Sequence, residues 1–323
     1  MDLYSVSATL RLMRENALDI RNLSKVYAAT GKASEKKALD DVILGVPKGS
    51  MFALLGPNGA GKSTLINILG GLVLKTGGSA EIAGLDLDQH PIESRRKIGI
   101  VGQEIAFDPF FTPREVLDIQ AGLYGVPKKQ RRTDELLELV GLTDKANTWS
   151  RQLSGGMKRR LMVAKAMVHD PEILILDEPT AGVDIELRRQ LWDNVLELNR
   201  QGKTILLTTH YLEEAERLCD RIAIINHGKI IACDSKDALL SRIEGKTITF
   251  TLTEDVAELP ESLRELGAEQ TASAKISFTY SPRDRSVEQY IAALQKEGMQ
   301  IADIRVVESD LEDVFLQLTR DAA

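Results

Sequence analysis

Cysteine, excess positive charge and long apolar runs are all scarce in this sequence. Its two cysteines among 323 residues, Cys219 and Cys233, have a spacing that fits neither a disulfide framework nor a metal site. The net charge is −7 and the basic residues form no stripe, which argues against a nucleic-acid-binding protein. The longest apolar runs, around 173–176 and 222–225, have the length of buried strands, whereas a membrane-spanning helix needs about 18 apolar residues.

The N-terminus also lacks the pattern of a secretory signal, because Asp2 comes early and no basic segment precedes an apolar one. We therefore expect a cytoplasmic location, with any membrane role depending on a separate partner. Residues 1–16 precede the first strand pattern and are predicted to form an N-terminal extension, either a short helix or a frayed segment.

Apolar runs alternate with helical patterns through the middle of the chain. The runs lie at 173–176, 204–207 and 222–225, and the helical patterns at 185–200 and 211–219. Continuous apolar strands that alternate with helices predict a mostly parallel sheet covered on both faces.

The flanking segments differ in character. Short β-like runs dominate from 18 to 84, and the pattern between 107 and 149 is helical. Beyond 236 the patterns predict a small α+β domain over 236–323. Its predicted strands are 247–252, 275–280 and 301–307, and its predicted helices are 287–296 and a last helix that Asp310 caps.

A glycine-rich string lies between a strand pattern at 51–55 and a helix pattern at 64–72, and a further strand pattern follows at 98–101. The string consists of Gly56, Pro57, Asn58, Gly59, Ala60, Gly61, Lys62, Ser63 and Thr64. The spacing G-x-x-x-x-G-K-[ST] arises by chance in such a chain on the order of 1% of the time. Its glycines let backbone N–H groups point at phosphates, beside the positive end of a helix. Lys62 is predicted to bind the β- and γ-phosphates, and the Ser63 hydroxyl to ligate magnesium.

Two further strings follow in the chain. The first, at the start of a predicted helix, is Leu153, Ser154, Gly155 and Gly156. Its hydroxyl, its N–H groups and the helix N-terminus together suit an anion, although alone the string is better explained as a helix cap. The second is the strand 173–176 with Asp177 and Glu178. Asp177 is predicted to reach magnesium through water, and Glu178 to orient or deprotonate the attacking water.

In this order, the three strings resemble those of ATP-binding-cassette (ABC) ATPases, and the resemblance covers residues 17 to about 235. It implies an α/β P-loop NTPase fold with a mixed core sheet, an antiparallel β subdomain and a helical subdomain at about 104–168. The domains are then 1–16, 17–235 and 236–323. ATP and Mg²⁺ are the implied cofactors. A second copy is an implied partner, because in this family the signature of one cassette closes on the nucleotide of the other.

The same resemblance assigns roles that the residues alone do not. Tyr27 matches the aromatic residue that stacks on adenine, Gln103 the glutamine that senses magnesium and the γ-phosphate, and His210 the switch histidine. Asp184 matches an acid that communicates across the dimer. The predicted catalytic residues are thus Lys62, Gln103, Glu178 and His210, and the predicted magnesium ligands are Ser63, Gln103 and Asp177.

Longer strings resemble the ATPase subunits of ABC-2-type exporters, a group with drug- and polysaccharide-export systems. They are 153–160, 184–189, 210–216 and 311–315. The resemblance implies an ABC-2-type permease as partner and no nucleic acid. It places the chain at the cytoplasmic face of the inner membrane, peripheral through the permease.

An aromatic segment follows Gln103. Phe107, Phe110 and Phe111 stand among residues 105–115 with two prolines, in a region that touches the membrane subunit in this family. We predict that at least one of these rings is exposed and contributes to that contact.

Three alternatives remain open at this point. An importer ATPase also accommodates a small regulatory C-terminal domain. A soluble cassette acting on DNA or ribosomes usually has coiled-coil insertions or two cassettes, and the sequence has neither. A non-hydrolysing binding module is disfavoured because Glu178 is present.

Overall fold

The protein was analysed as a computed structural model that describes residues 16–28, 34–180, 185–241, 246–280, 286–307 and 311–321. Residues 1–15 of the predicted extension, Asp184 and Asp310 lie outside these ranges. The chain divides into two compact units, Met1–Lys236 and Asp237–Asp321.

The first unit combines two sheets with helices. Its strands are β1 (Asn16–Tyr27), β2 (Lys36–Pro47), β3 (Met51–Leu55), β4 (Gly77–Ile82), β5 (Leu85–Asp86), β6 (Ile98–Val101), β7 (Ile173–Asp177), β8 (Thr204–Thr209), β9 (Arg221–Asn226) and β10 (Lys229–Ser235). Its helices are α1 (Lys62–Leu69), α2 (Pro91–Arg96), α3 (Pro113–Leu123), α4 (Thr133–Leu139), α5 (Gly155–Ala166), α6 (Ile185–Arg200) and α7 (Leu212–Leu218).

The larger sheet has the strand order β10-β9-β3-β8-β7-β6 and is parallel except for β10. Every residue of β3, β7 and β8 is buried, which confirms the prediction of a mostly parallel, covered sheet. Parallel strands bring their carboxyl ends to one edge. The residues that follow these strands, Gly56, Glu178 and His210, therefore meet at that edge.

The smaller sheet, β2-β1-β4-β5, is antiparallel and forms the β subdomain. Its inner residues share one core with α1 and the parallel sheet, including Leu18, Leu44, Phe52, Leu65 and Ile175. Burial of these side chains fixes the antiparallel sheet beside the glycine-rich loop.

Helices α3, α4 and α5 contact one another and form the helical part of the unit. Thr112 caps α3: its hydroxyl accepts from the Glu115 N–H at 3.3 Å, and the Glu115 carboxylate accepts from the Thr112 N–H at 2.8 Å. These hydrogen bonds to Thr112 lower the pKa of Glu115.

The second unit is an antiparallel sheet with helices. Its helices are α8 (Lys236–Leu240, which begins at the last residue of the first unit), α9 (Glu261–Glu265), α10 (Val287–Lys296) and α11 (Leu311–Asp321). Its strands are β11 (Lys246–Leu252), β12 (Ala268–Ala272), β13 (Lys275–Tyr280) and β14 (Ile301–Val307), in the order β12-β13-β11-β14. One apolar core includes Phe250, Phe278, Tyr290 and Leu294. Among the described residues, no helix is both long enough and apolar enough to span a membrane.

Candidate nucleotide-binding site

The glycine-rich loop connects β3 to α1 and packs closely against the backbone of β2 and β9. A Cβ at Gly56 would lie 2.4 Å from the Ile225 carbonyl oxygen, and one at Gly61 would lie 2.6 Å from that of Ala38. Gly61 also has φ +116°, a backbone conformation that only glycine adopts easily, and it caps the N-terminus of α1. Glycine is therefore required at both positions for the loop to follow this path.

Lys62, the first residue of α1, turns back over the loop. Its side chain is 5% exposed, and Nζ donates to the carbonyl oxygens of Gly56 at 2.6 Å and Pro57 at 3.2 Å. Burial lowers the pKa of Lys62, while the negative charges of Glu178 and Asp177 act in the opposite direction. An ammonium group has three donors, so one remains for an anion beside the loop.

Glu178 follows β7 and has the left-handed φ of 46°, unusual for a residue with a side chain. Its N–H donates to the Thr208 carbonyl oxygen at 3.0 Å and to the Thr208 hydroxyl at 3.2 Å. The Thr208 hydroxyl in turn donates to Asp177 at 2.6 Å. These bonds to β8 offset a backbone strain of about 1–3 kcal/mol.

Two predicted catalytic side chains approach the Glu178 carboxylate from different strands. Gln103 Nε2 lies 3.5 Å and His210 Nδ1 lies 3.4 Å from Glu178 Oε2. Both distances are long for hydrogen bonds, so the three groups are neighbours that a ligand can still separate.

A cleft of about 350 Å³ opens in front of the glycine-rich loop, and we call it the P-loop cleft. The structure brings together most of the predicted binding residues here. Its lining residues are Tyr27, Lys36, Ala38, Asn58, Gly59, Gly61, Lys62, Ser63, Thr64, Gln103 and Glu178. Among these, Lys36 and Ala38 were not predicted, because nothing in their local sequence marks the start of β2 as a wall of the cleft.

Other predicted site residues lie elsewhere in the described structure. The predicted residues that do not line the P-loop cleft are Gly56, Pro57, Ala60, Asp177, His210, Ser154, Gly155 and Gly156. Asp177 is buried at the end of β7, and His210 lies 3.4 Å from the Glu178 carboxylate, which lines the cleft. The Ser154 hydroxyl caps α5 by accepting from the Met157 N–H at 3.2 Å.

The donor set suits a magnesium ion that is shared with phosphates. Among the described residues, no group of three or more His, Cys, Asp or Glu side chains forms a metal cage. Magnesium is usually held by few protein oxygens together with substrate phosphates. The Ser63 hydroxyl and the Gln103 amide, which both line the cleft, fit that role.

Sequence reasoning missed Arg159, a buried residue of α5. Its guanidinium donates to the backbone carbonyl oxygens of Gly102 at 2.8 Å, Gln103 at 2.9 Å, Glu178 at 2.7 Å and Pro179 at 2.6 Å. These acceptors belong to backbone that only the folded chain assembles, so no side-chain pattern signals the contact.

Comparisons with known proteins agree with this geometry. The family model of the ABC transporter matches residues 39–181. A daunorubicin resistance ATP-binding protein of Streptomyces coeruleorubidus is 40% identical and covers 91% of this chain and 94% of its own length. A linearmycin resistance ATP-binding protein of Bacillus subtilis is 36% identical, covering 94% and 98%. A Nod factor export ATP-binding protein of Ralstonia nicotianae is also 36% identical, covering 94% and 93%.

Solved structures share the fold over about two thirds of the chain. An ATP-binding subunit of an ABC transporter has a TM-score of 0.62 at 32% identity, covering 70% of this chain and 92% of its own. A dimeric ATP-binding cassette in a post-hydrolysis state with ADP and phosphate has a TM-score of 0.60 at 28% identity, covering 68% and 98%. The predicted P-loop cassette fold is thereby confirmed. The chain belongs to the ABC transporter family of ATP-binding proteins and is an ATPase.

Proposed function

We propose that this ATPase powers an ABC-2-type exporter, with two copies of the chain closing on ATP and driving a permease in the membrane. The observation that carries the proposal is the approach of Gln103 and His210 to the Glu178 carboxylate, at the rim of the P-loop cleft. Relatives named for daunorubicin resistance, linearmycin resistance and Nod factor export support the outward direction.

In this proposal the glycine-rich loop and Lys62 bind the phosphates, and Tyr27 stacks on adenine. Glu178 orients the attacking water and accepts its proton. Gln103 and His210 respond to the γ-phosphate. Tyr27, at the end of β1, is 39% exposed and lines the cleft. The Lys25 ammonium lies 4.8 Å from the centre of its ring, so the opposite ring face is the one proposed to stack on the base.

Magnesium belongs to the same proposal. Ser63 and Gln103 would hold the ion, and Asp177 would reach it through water. When bound, magnesium neutralises charge on the phosphates during transfer. The Thr208 hydroxyl occupies one oxygen of Asp177 and leaves the other for such a water.

A second copy of the chain completes the site. Ser154 and Gly155 are exposed at the N-terminus of α5, outside the P-loop cleft of their own chain. A hydroxyl that accepts one bond can still donate its hydrogen, and a helix N-terminus favours an anion. We therefore assign Ser154, Gly155 and Gly156 to the nucleotide of the partner copy. Asp184 is proposed to act across the same interface.

The permease is proposed to dock on an aromatic patch formed by Phe110, Phe111 and Trp149. Phe110 is 62% exposed and Trp149 is 45% exposed, and their rings meet edge to face at 6.2 Å. The Arg151 guanidinium lies 4.4 Å from the centre of the Trp149 ring. Exposed aromatic rings beside an arginine are typical of interface hot spots. Phe107 is half-buried and lies outside the patch as we define it.

We propose the ATPase domain as residues 17–235, with a helical subdomain at about 104–168. Residues 236–323 then form an accessory domain. The chain is expected at the cytoplasmic face of the inner membrane, where only the permease attaches it.

The proposal is tested by Glu178→Gln in the purified full-length protein. This change keeps the shape of the side chain and removes the proton acceptor. We expect Mg-ATP binding to persist, a stable dimer to accumulate, and kcat to fall by about 10²–10⁴-fold. ATPase assays and size-exclusion chromatography with Mg-ATP measure these effects.

Lys62→Ala is the comparison for this experiment, because it removes the ammonium group from the loop and should weaken nucleotide binding itself. Near-normal turnover by the Glu178→Gln protein would remove Glu178 from the mechanism. Without phosphate release by the native protein, even with its permease, the proposed function fails.

A further inference from the structure

The Arg159 guanidinium joins two loops of the catalytic region to one helix. The side chain is 4% exposed. Nη1 donates to the Gly102 and Gln103 carbonyl oxygens, and Nη2 and Nε donate to those of Glu178 and Pro179. The first pair lies just beyond β6, the second just beyond β7, and the arginine itself is on α5.

The two loops carry side chains that must meet. Gln103 and Glu178 each accept a hydrogen bond from Arg159 through the backbone carbonyl oxygen. Their side chains are 3.5 Å apart across the cleft. Because a side chain moves with its own backbone, the guanidinium sets the separation between the amide and the carboxylate.

Only a guanidinium can make this set of bonds. Its five N–H donors form a rigid planar fork, whereas a lysine ammonium is a single point that cannot reach four carbonyl oxygens on two loops. Burial lowers the pKa of Arg159, and the charges of Asp177 and Glu178 oppose that shift. A buried cation persists only when its donors are satisfied, and here the backbone satisfies them.

We propose that Arg159 is a positioning residue for hydrolysis, which fixes the backbone of Gln103 and Glu178 to α5, the helix that Ser154 caps. The inference rests on the proposed roles of Gln103, Glu178 and Ser154. Since α5 carries the residues that meet the nucleotide of the partner copy, a shift of this helix is transmitted through Arg159 to both loops. When α5 closes on the nucleotide of the partner copy, the guanidinium thereby aligns the Glu178 carboxylate in the P-loop cleft of its own chain.

Arg160, the next residue on α5, provides a matched control. Its guanidinium also donates to backbone carbonyl oxygens, those of Val140 at 2.7 Å and Gly141 at 3.3 Å. Both acceptors lie just beyond α4, in the helical part of the unit. Arg160→Lys therefore removes similar bonds from the same helix without touching either loop of the cleft.

The experiment compares Arg159→Lys with Arg160→Lys in the full-length protein. Small displacements of catalytic groups cost about 10²-fold in rate. We expect Arg159→Lys to lower kcat by about that factor, with KM for ATP and the melting temperature close to those of Arg160→Lys. Arg160→Lys should retain a kcat within about threefold of the native value. Equal kcat values for the two variants would overturn the proposal.

A double-mutant cycle tests whether Arg159 acts through Glu178. In a Glu178→Gln background, adding Arg159→Lys should lower the residual rate by less than about twofold, because the group that Arg159 positions is already disabled. A second full 10²-fold loss would overturn the proposal while leaving the role of Glu178 intact. Native-like turnover by Glu178→Gln alone would instead overturn the proposed function.

The melting temperature detects a folding defect. If Arg159→Lys melts well below Arg160→Lys, the kcat comparison is repeated with Arg159→Gln, whose amide retains two N–H donors without the charge. A selective loss of kcat in that variant supports the proposal. Failure of both variants to fold would assign Arg159 to fold stability and overturn its positioning role.

Discussion

At the scale of single residues, a second buried ionisable side chain, Glu214, connects two segments near Glu178. Glu214 is 6% exposed, and its Oε2 accepts from the hydroxyls of Thr180 and Thr209, each at 3.1 Å. Arg188 lies 3.5 Å from its other oxygen. Glu214 therefore connects the loop after Glu178 to the end of β8, which His210 follows.

Burial raises the pKa of Glu214, against the hydrogen bonds and the charge of Arg188. Folding thus favours the neutral carboxyl, so ionisation destabilises the native state as pH rises above the unfolded pKa of about 4.3. We expect Glu214→Gln, which cannot ionise, to gain stability relative to the native protein as the pH rises from about 4 to about 7. Urea unfolding at several pH values measures the trend, and a relative loss with rising pH would contradict it.

Glu214→Ala is the contrasting change. It leaves the buried Thr180 and Thr209 hydroxyls without this acceptor, so we expect a loss of about 2–4 kcal/mol in the free energy of unfolding. The loss should be present at every pH in the same urea series. A loss below about 1 kcal/mol would show that the two hydroxyls find other acceptors.

The sequence predicts some of these residues and not others for a physical reason. Lys62, Ser63 and Glu178 belong to short strings of neighbouring residues, so the sequence alone was enough to single them out. Arg159 and Glu214 work through groups of distant segments. Their hydrogen bonds depend on carbonyl oxygens and hydroxyls that only the folded chain brings within bonding distance.

At the scale of elements, the loop between Gln103 and α3 is held against a short helical turn. The Ser150 N–H donates to the Phe111 carbonyl oxygen and the Arg151 N–H to that of Pro109, both at 2.9 Å. Two backbone bonds thus fix the loop while its Phe110 ring stays exposed. A rigid element that presents an aromatic side chain loses little entropy when a partner binds.

Phe110→Ala combined with Trp149→Ala removes two of the three rings of the patch while leaving those backbone bonds in place. We expect basal ATP hydrolysis to change less than about twofold, and co-purification with the permease to fall by at least tenfold, as loss of an interface hot spot predicts. Ile43→Ala, which removes an exposed apolar side chain of β2, is the control. Undiminished binding of the permease by the double variant would place the interface elsewhere.

Elements with strong periodicity were predicted closely, and short ones were not. The predicted strands at 98–101 and 275–280 and the helix at 287–296 have the observed bounds. The helix expected at 64–72 instead spans Lys62–Leu69, because Gly70 and Gly71 follow it. The five-residue α9 and the polar strand β12 were missed, since their residues carry no marked apolar period.

At the scale of the whole molecule, each unit has an apolar core of its own. The core around Phe52 and Leu65 belongs to Met1–Lys236, and the core around Phe250 and Phe278 to Asp237–Asp321. Units with separate cores have separate sources of stability, so a ligand that binds one unit stabilises that unit directly.

Calorimetry of the Glu178→Gln protein with Mg-ATP tests this independence, because that variant should retain the nucleotide. At 100 times Kd, binding adds about 2.7 kcal/mol to the unit that holds the ligand. We expect the melting transition of the first unit to move to higher temperature and that of the second to stay in place.

Phe278→Ala identifies the second transition, since its buried ring lies 4.7 Å from the Tyr290 ring and its loss costs about 3–5 kcal/mol. If Mg-ATP instead raises both transitions by equal amounts, the two units unfold as one body and the accessory unit shares the energy of nucleotide binding.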